Sequence, residues 1–85
     1  MTHPTAERTL VLVSHQTGDG HLCVDLIRRP DGSFGFEEYR RDPDDGHGWY
    51  PIGGTGGLIF QSQEAALSAA RRTVRWLDEL LGTAD

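Results

Sequence analysis

The chain has 85 residues, room for one domain whose core buries about 60–65% of the surface exposed by the unfolded chain. Thirteen acidic side chains against eight basic ones give a formal net charge of −5, and the acids are spread from Glu7 to Asp85 rather than gathered in a tail, which argues against nonspecific binding to nucleic acid or an anionic membrane. The single cysteine, Cys23, excludes an intrachain disulfide; the start lacks a basic signal-like region and Leu10-Val11-Leu12-Val13 is too short to span a membrane, so a cytoplasmic location is expected.

Residues 1–7 contain Pro4 among small polar residues and are expected to be loosely attached. Thr9 to His15 is β-branched and apolar and reads as a strand ending at the reversal Thr17-Gly18-Asp19-Gly20. A second strand follows in which Leu22, Val24 and Leu26 alternate with Cys23, Asp25 and Ile27. Pro30-Asp31-Gly32 then has the chemistry of a three-residue hairpin turn with a bulge: proline sets the first φ, and glycine takes the left-handed closing position. With Arg29 facing Ser33, Leu26 falls opposite Phe36, Val24 opposite Glu38 and Asp25 opposite Glu37. One face is then apolar and the other acidic, and a slip of one residue would set Leu26 against Glu37.

Asp42 to Gly48 is a polar loop, and Trp49-Tyr50-Pro51-Ile52 offers a short fourth strand that Pro51 confines to an edge. Gly53-Gly54-Thr55-Gly56-Gly57 breaks any element before the apolar Leu58-Ile59-Phe60. The last element is a single helix, with Ser62 as N-cap, Glu64 in its first turn and Gly82 just past its end. Leu67, Ala70, Val74, Leu77 and Leu81 form its apolar stripe, widened by Ala66, Thr73 and Leu80; Glu64, Arg71, Arg72, Arg75, Asp78 and Glu79 take the opposite arc. The small residues Ala66 and Ala70 permit close approach to the sheet. The expected architecture is α+β: an antiparallel three-stranded meander, with a fourth strand as an option, and one C-terminal helix across one face. It forms a single domain over residues 8–82, with a tail at 83–85.

Candidate chemistry is sparse. His15, His21 and Cys23, with His47, are the soft ligands for zinc, but their spacing matches no dense ligand motif, and no metal or other cofactor is expected. A phosphate loop needs a helix directly after the glycine run 53–57, but Leu58-Ile59-Phe60-Gln61 intervenes, and the chain contains no lysine to neutralise a terminal phosphate. Ser14 and His15 are neighbours on a strand and therefore point to opposite faces. Asp25 and Glu37 would sit side by side as a carboxylate pair, which on an exposed sheet face reads as solvated charge. No nucleophile, base and metal converge, so no catalytic residue is assigned and an enzyme is not expected. Trp76 lies at the border of the helix stripe with Ala69 and Leu80, beside Arg72, and is the candidate interface for a protein partner or a second copy. Trp49 and Tyr50 form a second candidate surface.

The run from Cys23 to Leu77, with Pro30-Asp31-Gly32, Phe34-x-Phe36, Asp45-Gly46, Phe60-Gln61-Ser62 and Glu64-Ala65-Ala66, resembles the small bacterial YegP-like domains. That resemblance implies a β-meander packed on a helix, often in tandem copies, with no catalytic residues to carry over. This chain holds one copy, so self-association would supply the contacts that a tandem protein makes internally. The glycine-rich segment departs from the short polar connection of those domains. A weaker resemblance is to sheet-plus-helix DNA-binding domains of the AP2 and integrase-arm type, which implies groove contacts from Arg28, Arg29, Arg40 and Arg41. Asp25, Glu37, Glu38, Asp42, Asp44 and Asp45 are interleaved with those arginines, so the expected function is a cytoplasmic interaction or accessory domain, with DNA binding as the alternative.

Overall fold

The computed structural model describes residues 8–42, 44, 46, 48–52 and 57–82. Four antiparallel strands cross one sheet in chain order: β1 (Leu10–Gln16), β2 (Leu22–Arg28), β3 (Phe34–Arg41) and β4 (Trp49–Ile52). Two helices follow, α1 (Gln63–Thr73) and α2 (Arg75–Leu81). The α+β meander is as expected, with two corrections: the fourth strand forms, and the single helix is broken in two.

The β2–β3 hairpin has the register read from its turn. Leu26 lies opposite Phe36, Val24 opposite Glu38 and Asp25 opposite Glu37. The Arg29 N–H donates to Ser33 O (2.8 Å), and Gly32, at φ +88°, donates to Arg29 O (2.9 Å). Asp31 locks the turn by accepting from the Ser33 N–H (2.9 Å) and hydroxyl (2.7 Å), which hold its carboxyl below the ordinary 3.8. Arg29 then crosses the start of β3. Its guanidinium lies against Gly35 where any Cβ would collide with it, and donates to Phe34 O (3.0 Å) and Leu58 O (2.9 Å), tying the hairpin to the segment before α1.

β1 carries a bulge. Val11 pairs with Ile27 and Val13 with Leu26, so Leu12 is an inserted residue opposite nothing on β2. Without that insertion Val13 would face Asp25 on the open side of the sheet; with it, Val13 packs against the core and Ser14 meets Asp25. β4 pairs along the second half of β3, with Pro51 at the edge as expected, and Phe60 bridges Phe34 in the first half.

The core lies between one sheet face and the helices, with Val24, Leu26 and Phe36 against Ala69, Ala70, Val74 and Leu77. Phe60 stacks on Phe36 at 6.1 Å between ring centres. Ser62 caps α1 by accepting from the Ala65 N–H (3.0 Å). Ala66 and Ala70 are fully buried, so α1 approaches β2 and β3 closely. The helix ends early at Val74, which is buried, adopts extended backbone (φ −108°, ψ 96°) and serves both as C-cap of α1 and N-cap of α2. The bend rotates the buried face relative to a straight stripe: Ala69 joins the core, whereas Thr73 and Leu80 are exposed. Arg71 bonds across the break, donating from Nε to Asp78 (2.8 Å) and from Nη2 to Gly82 O.

Candidate functional site

Among the described residues two surfaces remain open, the sheet face away from the helices and the outer side of β1. Strand alternation places Ser14 and Gln16 of β1, Cys23 and Asp25 of β2, Glu37, Tyr39 and Arg41 of β3 and Trp49 of β4 on the open face. They form a shallow depression of about 200 Å³ lined by Ser14, Gln16, Cys23, Asp25, Tyr39 and Trp49. Three of its donors, Ser14, Cys23 and Tyr39, bond to carboxylates of the same face. Asp25 accepts from the Ser14 hydroxyl (2.6 Å) and the Cys23 thiol (3.3 Å), and Glu37 accepts from the Tyr39 hydroxyl (2.5 Å). Arg41 stacks on the Trp49 ring at 4.3 Å and donates to Gly20 O (3.2 Å).

These pairings set the acidities. Burial, reinforced by the hydrogen bond to Asp25 and by its charge, pushes the Cys23 thiol up to about 11. The hydrogen bond to Glu37, then burial, pushes the Tyr39 phenol up to about 12. The Cys23 thiol is therefore held protonated at neutral pH and is a weak nucleophile. Chemically the face can accept hydrogen bonds at two carboxylates, while the protons of Ser14, Cys23 and Tyr39 are already committed.

The other candidate residues are dispersed. His15 lies opposite Val24 on the helix side while Cys23 faces the open side, His21 is exposed in the turn, and His47 lies outside the described residues. Among the described residues no three His, Cys, Asp or Glu side chains gather to hold a metal. The glycine run falls at 53–56 outside the described residues; so do residues 1–7 and the tail at 83–85. Arg28 and Arg40 lie on the helix side at opposite ends of the sheet, Arg41 is on the open face, and Arg29 is engaged by the loop, so the four hairpin arginines share no one face. Trp76 is half-buried against the core, and its indole N–H donates to Glu38 Oε2 (3.2 Å). Ala69 is buried in the core, Arg72 and Leu80 are exposed, and so the helix border is not one continuous exposed patch. Tyr50 is exposed on the helix side of β4, opposite Arg40, whereas Trp49 lines the open face.

The outer side of β1 is the feature that sequence reasoning passed over. Leu10, Val11 and Leu12 are 42%, 56% and 37% exposed, and among the described residues no strand pairs with that side of β1. The signal was present: the run from Thr9 to Gln16 contains no proline, glycine, lysine or acid to guard an edge. No helix among the described residues is long and apolar enough to cross a membrane. Comparison with protein-family models, curated proteins and solved structures yields no match to this chain.

Proposed function

We propose that the chain is a small protein-interaction domain without catalytic activity, which receives an extended strand along the outer side of β1. The observation that carries this reading is the exposed run Leu10-Val11-Leu12 on an edge of seven residues with no protective side chain. The opposite edge supports it by contrast, because β4 is four residues long and holds Pro51, which lacks a backbone donor. The non-catalytic reading is supported by the open face, where burial and the neighbouring Asp25 carboxylate hold the Cys23 thiol in its protonated, weakly nucleophilic form. A buried Cys23 that forms no disulfide supports a reducing, cytoplasmic setting.

The test is a titration of isotopically labelled protein with a panel of synthetic eight-residue extended peptides, one of which is the Thr9–Gln16 sequence itself, followed by backbone amide shifts. Shifts concentrated in residues 9–16 support strand capture. A panel that moves no amide of β1 overturns it.

A further inference from the structure

We propose that the occupant of this edge is a second copy of the chain, with Leu10–Val13 running antiparallel to the same four residues of the other copy. The inference rests on the reading of β1 as an interaction edge and adds the partner.

Three observations select a second copy. The first is charge. Each copy carries a net −5, so two copies meet only where carboxylates do not oppose one another, and Thr9–Gln16 is an acid-free stretch whose sole titratable side chain is His15. His15 lies on the helix side opposite Val24 and Leu22 is the next residue on that face, while Asp25 and Glu37 face the open side, bonded to Ser14 and Tyr39. The second is self-complementarity. A two-fold axis perpendicular to the sheet makes an antiparallel edge its own match, with outward N–H groups facing outward C=O groups on either side of the bulge at Leu12. In the register proposed here Leu10 faces Val13 and Val11 faces Leu12, so all four apolar residues are matched. Both helix layers then lie on one side of a continuous eight-stranded sheet.

The third is the contrast in coverage. The outer side of β3 is covered at both ends, by β4 opposite Glu38–Arg41 and by Phe60 opposite Phe34, whereas β1 has no such cover among the described residues. The four residues paired in each copy run about 13 Å. So short a contact lies below the size of stable specific interfaces, about 1,200 Å² in total, and the association expected is weak, with dimer forming towards about 1 mM.

The experiment is sedimentation equilibrium of the full chain from about 1 µM to 1 mM, with three samples: wild type, Leu12→Lys and Leu80→Lys. Circular dichroism melts confirm that both variants fold. The wild type is expected to pass from monomer to dimer in this range. Leu12→Lys, which places two lysines beside each other across the two-fold at an exposed position outside the core, should raise the dissociation constant at least about tenfold. Leu80→Lys, on the exposed side of α2, should leave it unchanged. Hydrogen exchange at β1 amides, slowed at high protein concentration and restored on dilution, supplies a readout that does not depend on any variant. A wild type that stays monomeric to the top of the range overturns the second-copy inference. So does a dimer broken by Leu80→Lys rather than by Leu12→Lys. If the monomer nevertheless captures peptides along β1, strand reception survives and the second copy falls alone; if no peptide binds either, both readings fall.

Discussion

The two faces of the sheet are made by the same strands and satisfied by different means. On the covered face Val24, Leu26 and Phe36 have no use for water and are closed by Ala66, Ala70, Val74 and Leu77, all nearly or fully inaccessible. On the open face Asp25 and Glu37 are satisfied locally, by hydroxyls one strand or two residues away, and need no other layer. An apolar face therefore recruits a distant part of the chain, whereas a polar face is completed by its own neighbours. The edge of β1 belongs to neither case. It is apolar, and no layer covers it among the described residues.

The comparison breaks most readily on the covered face. Leu77 is fully buried and is the main contribution of α2 to the core, so Leu77→Ala should destabilise by about 3 kcal/mol in denaturant unfolding. A loss below about 1 kcal/mol would mean that α2 does not hold this face closed. A second variant acts on the turn that assigns residues to faces. Gly32 has φ +88°, and Gly32→Val should cost about 1–2 kcal/mol or more because a β-branched side chain is poorly accommodated there. An unchanged midpoint would show that the hairpin takes another turn.

The hairpin was legible because its information is local. Proline, aspartate and glycine fix the turn, and alternation then assigns every residue from Leu22 to Arg40 to a face. The break at Val74 was not legible. No glycine or proline marks it, and the valine belongs to the apolar stripe of a straight helix; its extended backbone reflects the fit of two short helices to the sheet, which no local residue encodes. The same limit applies to Ala69, which a straight helical wheel leaves at the border and the bend carries into the core. The bulge at Leu12 is intermediate. An apolar run of four has no alternation to show which residue is the extra one, and only its pairing with Asp25 and Leu26 decides it. For the candidate site, the side-by-side Asp25 and Glu37 followed from register alone, but the donors that neutralise them, Ser14 and Tyr39, depended on the bulge and on side-chain reach.

Alkaline pH separates the two faces without a mutation. Cys23 and Tyr39 have ordinary values of 9.0 and 10.0 and are raised to about 11 and about 12 in the folded chain. Groups raised on folding add stability that is complete below the unfolded value and disappears as pH rises through the folded one, so stability should hold to about pH 9 and decline towards pH 12. The covered face has no group that titrates in that window among its core residues. Denaturant midpoints measured from pH 8 to pH 12 give the slope; Cys23→Ala should flatten its lower part and leave the upper part, due to Tyr39, in place. A slope untouched by Cys23→Ala would show that the thiol is not held protonated by Asp25 and burial.

The smallest effect tests whether the open face contributes to stability as a set of local pairs. Ser14→Ala removes the 2.6 Å hydrogen bond to Asp25 on the strand pair whose other face carries Val13 and Leu26. Asp25 keeps the thiol of Cys23 as a donor and has access to water, so no charge is left buried and unpaired. Exposed pairs of this kind contribute about 0.5 kcal/mol, several times less than a core leucine. Removing the Ser14 hydroxyl also takes away a group that lowers the Cys23 value, so the thiol should titrate still higher and react more slowly with an alkylating reagent between pH 8 and pH 10. Unfolding curves and alkylation rates of the same samples read the two consequences separately. A loss near that of Leu77→Ala would mean that the bulge at Leu12 depends on the Ser14–Asp25 bond, and that the two faces are coupled through β1 rather than independently satisfied.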